Sequence, residues 1–237
     1  MTDPRLSVIE KRLAEAENII AVSGWKGGIG KSSVACVLSL ILAEKGFKTG
    51  LFDLDFSGAS DHVILGAEKL FPEEKEGIIP PLAGGVKLMS SAFFSGGNAV
   101  ALRGSDVSQA MLELLAVTRW GGLDYLIIDT PPSLADANLD LIRWIRRARI
   151  LAVTTPSKLS RQITEKSIAL FAEMKIPVEG IIENMADGRA RKPQSGAPFL
   201  GKINFDSSYE KAVGNPAALL KTNFARDLRA ILPKITS

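Results

Sequence analysis

The densest chemistry in the sequence lies between Lys26 and Ser33, which read Lys-Gly-Gly-Ile-Gly-Lys-Ser-Ser. An apolar run, Ile19 to Ser23, precedes this segment and a helical run follows it, the context that a phosphate-binding loop requires. Gly27, Gly28 and Gly30, with Ile29 between them, let backbone N–H groups turn inward around phosphate oxygens, and the helix N-terminus adds its positive dipole. In that arrangement Lys31 reaches the β- and γ-phosphates and the Ser32 hydroxyl ligates magnesium. Ser33 is placed to bond a phosphate nearer the ribose. A glycine-rich turn that merely happens to precede Lys-Ser would need neither the strand before it nor the helix behind it.

Carboxylates supply the second set. Asp53 and Asp55 stand at alternate positions where another apolar run ends, and Asp129 closes the run Asp-Tyr-Leu-Ile-Ile-Asp. Acids at strand ends lie where open α/β sheets place their ligands; an acidic turn is the plainer alternative. Soft ligands are scarce. Cys36 is the single cysteine and His62 the single histidine. The chain therefore has no Cys-x-x-Cys clamp and no intrachain disulfide. Cys36 lies on an apolar helical run and reads as a small core residue.

These residues need a frame. With 237 residues, 46% hydrophobic and 23% charged, the chain fits one globular domain over 1–237. Short apolar runs alternate with helical ones: strands over Ile19–Ser23, Lys48–Asp53, Val86–Ser90, Asp124–Asp129, Ile150–Thr154, Val178–Glu183 and Phe199–Phe205. Helices are expected over Pro4–Glu17, Ser32–Glu44, Ser105–Thr118, Ala135–Arg147, Ser160–Met174 and Asn215–Leu232. Continuous apolar strands alternating with helices indicate a three-layer α/β/α fold with a mostly parallel central sheet, whose ligands sit at the carboxyl ends of the strands. Lys31, Asp53, Asp55, Asp129 and Asn184 all follow strands. The stretch from Gly66 to Gly85, with three prolines, reads as a surface excursion open to partner contact, and Ala186 to Ala197 as a second loop.

A net charge of +3 is too small to imply a nucleic-acid partner, and the run from Arg143 to Arg149 reads as a solvated helix face. The charged start contains no signal peptide and no apolar run reaches spanning length, so the expected compartment is the cytoplasm, with no membrane partner. Residues 1–18, with Leu6, Ile9, Leu13 and Ala16 at helical spacing, form either a core-packing helix or a partner-docking arm.

The loop departs from Gly-x-x-x-x-Gly-Lys-Ser: Trp25 replaces the first glycine, and Lys26 is an extra lysine. This form resembles the Mrp/MinD/ParA group of phosphate-loop ATPases. The resemblance covers nearly the whole chain, including Asp129-Thr130-Pro131-Pro132 and Glu183-Asn184-Met185. It implies an ATP- and magnesium-dependent ATPase working as a homodimer across ATP, with Lys26 reaching the nucleotide of the facing subunit. It also implies that Asp53 and Asp129 hold magnesium through water, that Asp55 orients the attacking water, and that Asn184 contacts adenine. Trp25 would then pack at the site edge or the dimer surface.

A narrower likeness runs from Asp53 to Gly66 and through Phe71-Pro72-Glu73-Glu74 and Ile79-Pro80-Pro81. These segments resemble hydrogenase-maturation ATPases of the Mrp/MinD type, which implies nickel delivery to [NiFe] hydrogenase with a small zinc-containing nickel chaperone. Two alternatives stand beside it. One is a ParA- or MinD-like positioning ATPase that binds DNA or membrane; the other is an Mrp-like iron–sulfur assembly factor lacking its own cysteine ligands.

Overall fold

In the computed structural model, residues 3–95, 104–132, 136–188 and 195–236 are described. The chain opens with α1 (Arg5–Leu13), β1 (Ala16–Ser23), α2 (Lys31–Glu44), β2 (Thr49–Asp53) and the single turn α3 (Asp61–Ile64). Three two-residue strands follow, β3 (Glu73–Glu74), β4 (Ile78–Ile79) and β5 (Leu82–Ala83), then β6 (Val86–Ser90) and α4 (Ala92–Ser95). Next come α5 (Gly104–Val117), β7 (Leu123–Asp129), α6 (Asp136–Trp144), β8 (Arg149–Thr154), α7 (Lys158–Glu173), β9 (Val178–Ala186) and β10 (Phe199–Asn204). The chain closes with α8 (Tyr209–Ala212), α9 (Pro216–Leu219), α10 (Asn223–Ile231) and a 3₁₀ turn at Leu232–Lys234.

The main sheet runs β10-β9-β8-β1-β7-β2-β6-β5. Every pairing in it is parallel except β5 with β6. Side chains alternate across it with the strand period of two. Ile20, Val22, Leu51, Ile127, Leu151, Val153 and Ile182 face one layer, formed by α2, α10 and their short neighbours. Ile19, Ala21, Phe52, Leu126, Ile128, Ile150 and Ile181 face the other, built from α1, α5, α6 and α7. Both faces are covered, which is why the central strands read as unbroken apolar runs. The expected three-layer parallel fold is present.

Register positions the site. Val22 and Asp53 both pair with Asp129, and Asp53 also pairs with Ser90. The carboxyl ends of β1, β7, β2 and β6 are therefore level, and polar residues at those ends become neighbours although they are far apart in sequence.

Several boundaries differ from the expectations. The first helix stops at Leu13, because Ala16 is drawn into β1 opposite Leu123. Its apolar side, Ile9 and Leu13, is buried in the core, and Arg5 pairs with Glu113 of α5. The Gly66–Gly85 excursion holds the β3–β4 hairpin and sends β5 onto the sheet edge. The expected helix over Asn215–Leu232 is divided by a new N-cap at Thr222, whose Oγ1 accepts from the Ala225 N–H at 3.1 Å. Arg149, expected on a helix face, lies in β8 and pairs with Glu179 at 2.7 Å. The part of the second loop over 189–194 and the segment after Pro132 over 133–135 fall outside the described residues.

Candidate functional site

The chain leaves β1 at Ser23, turns through Gly24 to Gly30 and enters α2 at Lys31. Gly30 is the N-cap in the left-handed region, with φ 79°, and a Cβ there would stand 2.2 Å from Asn184 Nδ2. Backbone conformation and space thus both require glycine. Asn184, at the end of β9 and 2% exposed, supports the loop from beneath: its Nδ2 donates to the Ile29 carbonyl at 2.9 Å. That amide group is engaged with the loop backbone, whereas the sequence pointed it toward adenine. Trp25, expected at the site edge or dimer surface, is buried and meets Phe171 edge-on, with ring centroids 5.6 Å apart.

A cleft of about 320 Å³ opens over the loop, lined by residues 26–33 together with Asp55, Gly58, Ser60, Ile64 and Pro132. A larger groove, about 650 Å³, runs between α1 and α6, but it lacks this concentration of phosphate-binding groups. Chemistry, not volume, locates the site. The two lysines of the loop differ sharply: Lys26 is exposed at the rim, while Lys31 is 7% exposed.

Lys31 Nζ donates to Asp129 Oδ1 at 2.6 Å, and Ser32 Oγ donates to Asp129 Oδ2 at 2.6 Å. The loop lysine and the strand-end carboxylate form a buried ion pair. Burial tends to lower the Lys31 pKa, but the charge of Asp129 outweighs it and the net direction is up. Asp129 is itself pushed above the ordinary carboxylate range by burial, against the pull of Lys31 and Ser32.

Asp53 is fully buried. Its Oδ1 accepts from the Asp55 N–H at 3.2 Å; its Oδ2 accepts from Ser90 Oγ at 2.9 Å and the Asp61 N–H at 3.3 Å. Burial first, and the negative charge of Asp129 second, raise its pKa to about 7. Asp55 turns away to the following loop, where its Oδ1 accepts from the Ser57 N–H and Oγ and the Gly58 N–H at 3.1, 2.7 and 3.1 Å. Asp55 lies on the cleft wall, whereas Asp53 lies below it.

The sequence does not single out Asp61. It opens α3, eight residues beyond Asp53 and away from any strand end, so no periodicity marked it. It is fully buried, and one oxygen each from Asp53, Asp61 and Asp129 lie within 4.8 Å of one another. Cys36, read as a core residue, is indeed buried in the α2 layer, and its Sγ also donates to Asp61 Oδ1 at 3.2 Å. The donor set around the loop is carboxylate and hydroxyl oxygen, hard ligands that suit magnesium and not a soft metal.

Comparison with known proteins agrees with this geometry. Residues 15–236 match the ParA family model, described as NUBPL iron-transfer P-loop NTPase. An iron-sulfur cluster carrier protein of Pseudomonas fragi is 41% identical over 178 residues, 73% of this chain and 62% of that protein. The chain thus spans less than two thirds of that relative's length. Among solved structures, a nucleotide-binding protein from Archaeoglobus fulgidus in complex with ADP superposes with TM-score 0.74 at 30% identity, over 91% of this chain and 93% of that one. MinD of Pyrococcus horikoshii, complexed with Mg-ADP, shares the fold at TM-score 0.67 and 19% identity, over 90% and 93% of the two chains. These matches overturn the expectation of nickel delivery with a zinc-containing nickel chaperone. The nickel expectation rests on short likenesses over Asp53–Gly66, Phe71–Glu74 and Ile79–Pro81, while the family match and the relative concern iron and iron–sulfur clusters.

Proposed function

The chain belongs to the ParA family of NUBPL-type iron-transfer P-loop NTPases, and from that premise we propose that it is a nucleotide-driven switch acting in iron–sulfur cluster assembly. ATP and magnesium are its cofactors. The observation that carries the reading is a phosphate-loop cleft in a chain that matches the iron-transfer family model over residues 15–236 and is 41% identical to an iron-sulfur cluster carrier protein. Cys36 is fully buried and is not placed to hold a cluster. The cluster is cargo, and the chain supplies the nucleotide cycle.

Within the site, the Gly27–Ser33 backbone and Lys31 would hold the phosphates, and Ser32 with Asp53 and Asp129 would hold magnesium. When bound, the ion would neutralise phosphate charge. Asp55, on the cleft wall, orients the water that attacks the terminal phosphate. Asn184 fixes the loop through its bond to the Ile29 carbonyl. Lys26, exposed at the rim, serves the nucleotide of a second copy, which makes the acting form a homodimer across ATP. ATP binding and hydrolysis then exchange two dimer shapes with different affinities for the cluster-bearing partner.

The test is affinity capture of the wild-type chain and Lys31→Ala from cells, with ATP or ADP, followed by assay of iron and acid-labile sulfide. Iron and sulfide should accompany the wild type in a nucleotide-dependent manner and be lost in Lys31→Ala. Recovery without iron or sulfide, or ATP-dependent binding to DNA or liposomes instead, would overturn the reading in favour of a positioning ATPase.

A further inference from the structure

Three carboxylates, Asp53, Asp61 and Asp129, lie together below the phosphate loop with no solvent exposure. The magnesium shell proposed above uses two of them. Among the described residues one buried cation, Lys31, faces the group, and its ammonium is committed to Asp129 Oδ1. One ammonium does not match three carboxylates in their ionised form, whereas one further divalent cation would. Removing charge from water without such compensation is costly.

Asp61 carries a second mark. Its Oδ1 accepts the Cys36 thiol at 3.2 Å, but its Oδ2 is buried without a hydrogen-bond partner among the described residues. Asp53 has partners on both oxygens, and so does Asp129. The group therefore has one idle oxygen, and it belongs to the residue that needs no other role. The backbone is oriented as well: the Asp61 N–H donates to Asp53 Oδ2, which ties α3 to the end of β2.

We infer that Asp61 is a third carboxylate of the divalent-cation shell, accepting through Oδ2 from the water around the ion, with Cys36 as the residue that positions it. Cys36 lies one turn into α2 from Ser32, so the helix that presents a ligand to the ion also presents the thiol that turns Asp61 toward it. The lone cysteine of the chain gains a reason to be polar at a site where alanine or valine would fill the core.

This inference rests on the proposed nucleotide site, and the experiment separates the two. Mn²⁺ is titrated into the ADP complexes of wild type and Asp61→Asn by electron paramagnetic resonance, with ADP affinity measured separately in EDTA. Asp61→Asn should weaken Mn²⁺ binding by roughly 10-fold or more, the usual cost of losing an outer-shell ligand partner. Mn²⁺ affinity equal to wild type in a folded Asp61→Asn overturns the inference alone, while failure of the wild type to bind ADP at all overturns the site beneath it. Should Asp61→Asn not fold, the Cys36 pair carries the test. Cys36→Ala should weaken Mn²⁺ binding several-fold and Cys36→Ser, which keeps a donor, should restore it; equal affinities in all three proteins remove Asp61 and Cys36 from the shell.

Discussion

At the scale of residues, the site is a balance of buried charge. Asp53 holds its proton up to about pH 7, through burial and then the charge of Asp129, and Asp61 is raised well above its ordinary value by burial, then by Asp53 and Asp129. An acid whose folded pKa exceeds its unfolded value stabilises fully below the unfolded pKa, near 4, and loses that contribution as pH rises through the folded pKa. Metal-free protein should therefore lose stability between about pH 4 and 7, on the order of a few kcal/mol. His62 acts in the opposite sense, its pKa lowered by burial, but it is only partly enclosed. Thermal melts in EDTA across this range should show a falling Tm that excess magnesium and ADP flatten. A Tm that stays level or climbs from about pH 4 to 7 would remove the carboxylate group as the source. The loop residues and the strand-end acids were legible in sequence because their spacing follows from where a strand stops. Asp61 was not, because it reaches the site through a turn of the chain that has no period.

At the scale of elements, the alternation of strand and helix was readable because β1, β2, β7 and β8 are buried on both faces and carry unbroken apolar runs. Ends decided by tertiary pairing were hidden. Ala16 fits the apolar stripe of a helix, yet it pairs with Leu123 across the sheet. The C-terminal stretch shows one helical period from Asn215 onward, but Thr222 restarts it. Its Oγ1 caps α10 and donates to the Leu219 carbonyl at 2.6 Å, so α9 and α10 meet at an angle that seats Phe224, Leu228 and Ile231 against α2 and β10. Thr222→Ala removes both bonds at a site 7% exposed. The loss should be about 1 kcal/mol, or roughly 2–4 °C in Tm for a domain of this size. Differential scanning calorimetry checks it, and Thr222→Ser should recover most of the difference. A Tm unchanged in Thr222→Ala would mean that packing alone sets the start of α10.

At the scale of the whole molecule, the two lysines of one loop divide inside from outside. Lys31 is buried against Asp129, while Lys26, five residues earlier, is exposed at the cleft rim. An exposed lysine beside a phosphate cleft is screened by water and contributes little to phosphoryl transfer until a surface closes over it. A second copy placed face to face would both exclude that water and bring its own Lys26 to the facing cleft. Lys26→Ala should accordingly bind ADP as the wild type does while hydrolysing ATP at least about 100-fold more slowly, the usual cost of one preorganised charge donor. Lys31→Ala should fail to hold ATP, yet it retains Lys26. If Lys26 acts across the interface, mixing Lys26→Ala with Lys31→Ala assembles a dimer in which one intact nucleotide site faces one intact Lys26. Phosphate release from the mixture should then exceed that of either variant alone, in proportion to the heterodimer formed, as measured by light scattering with a non-hydrolysable ATP analogue. Activity in the mixture no higher than the sum of the separate variants would place Lys26 on its own nucleotide and leave the cleft complete within a single chain.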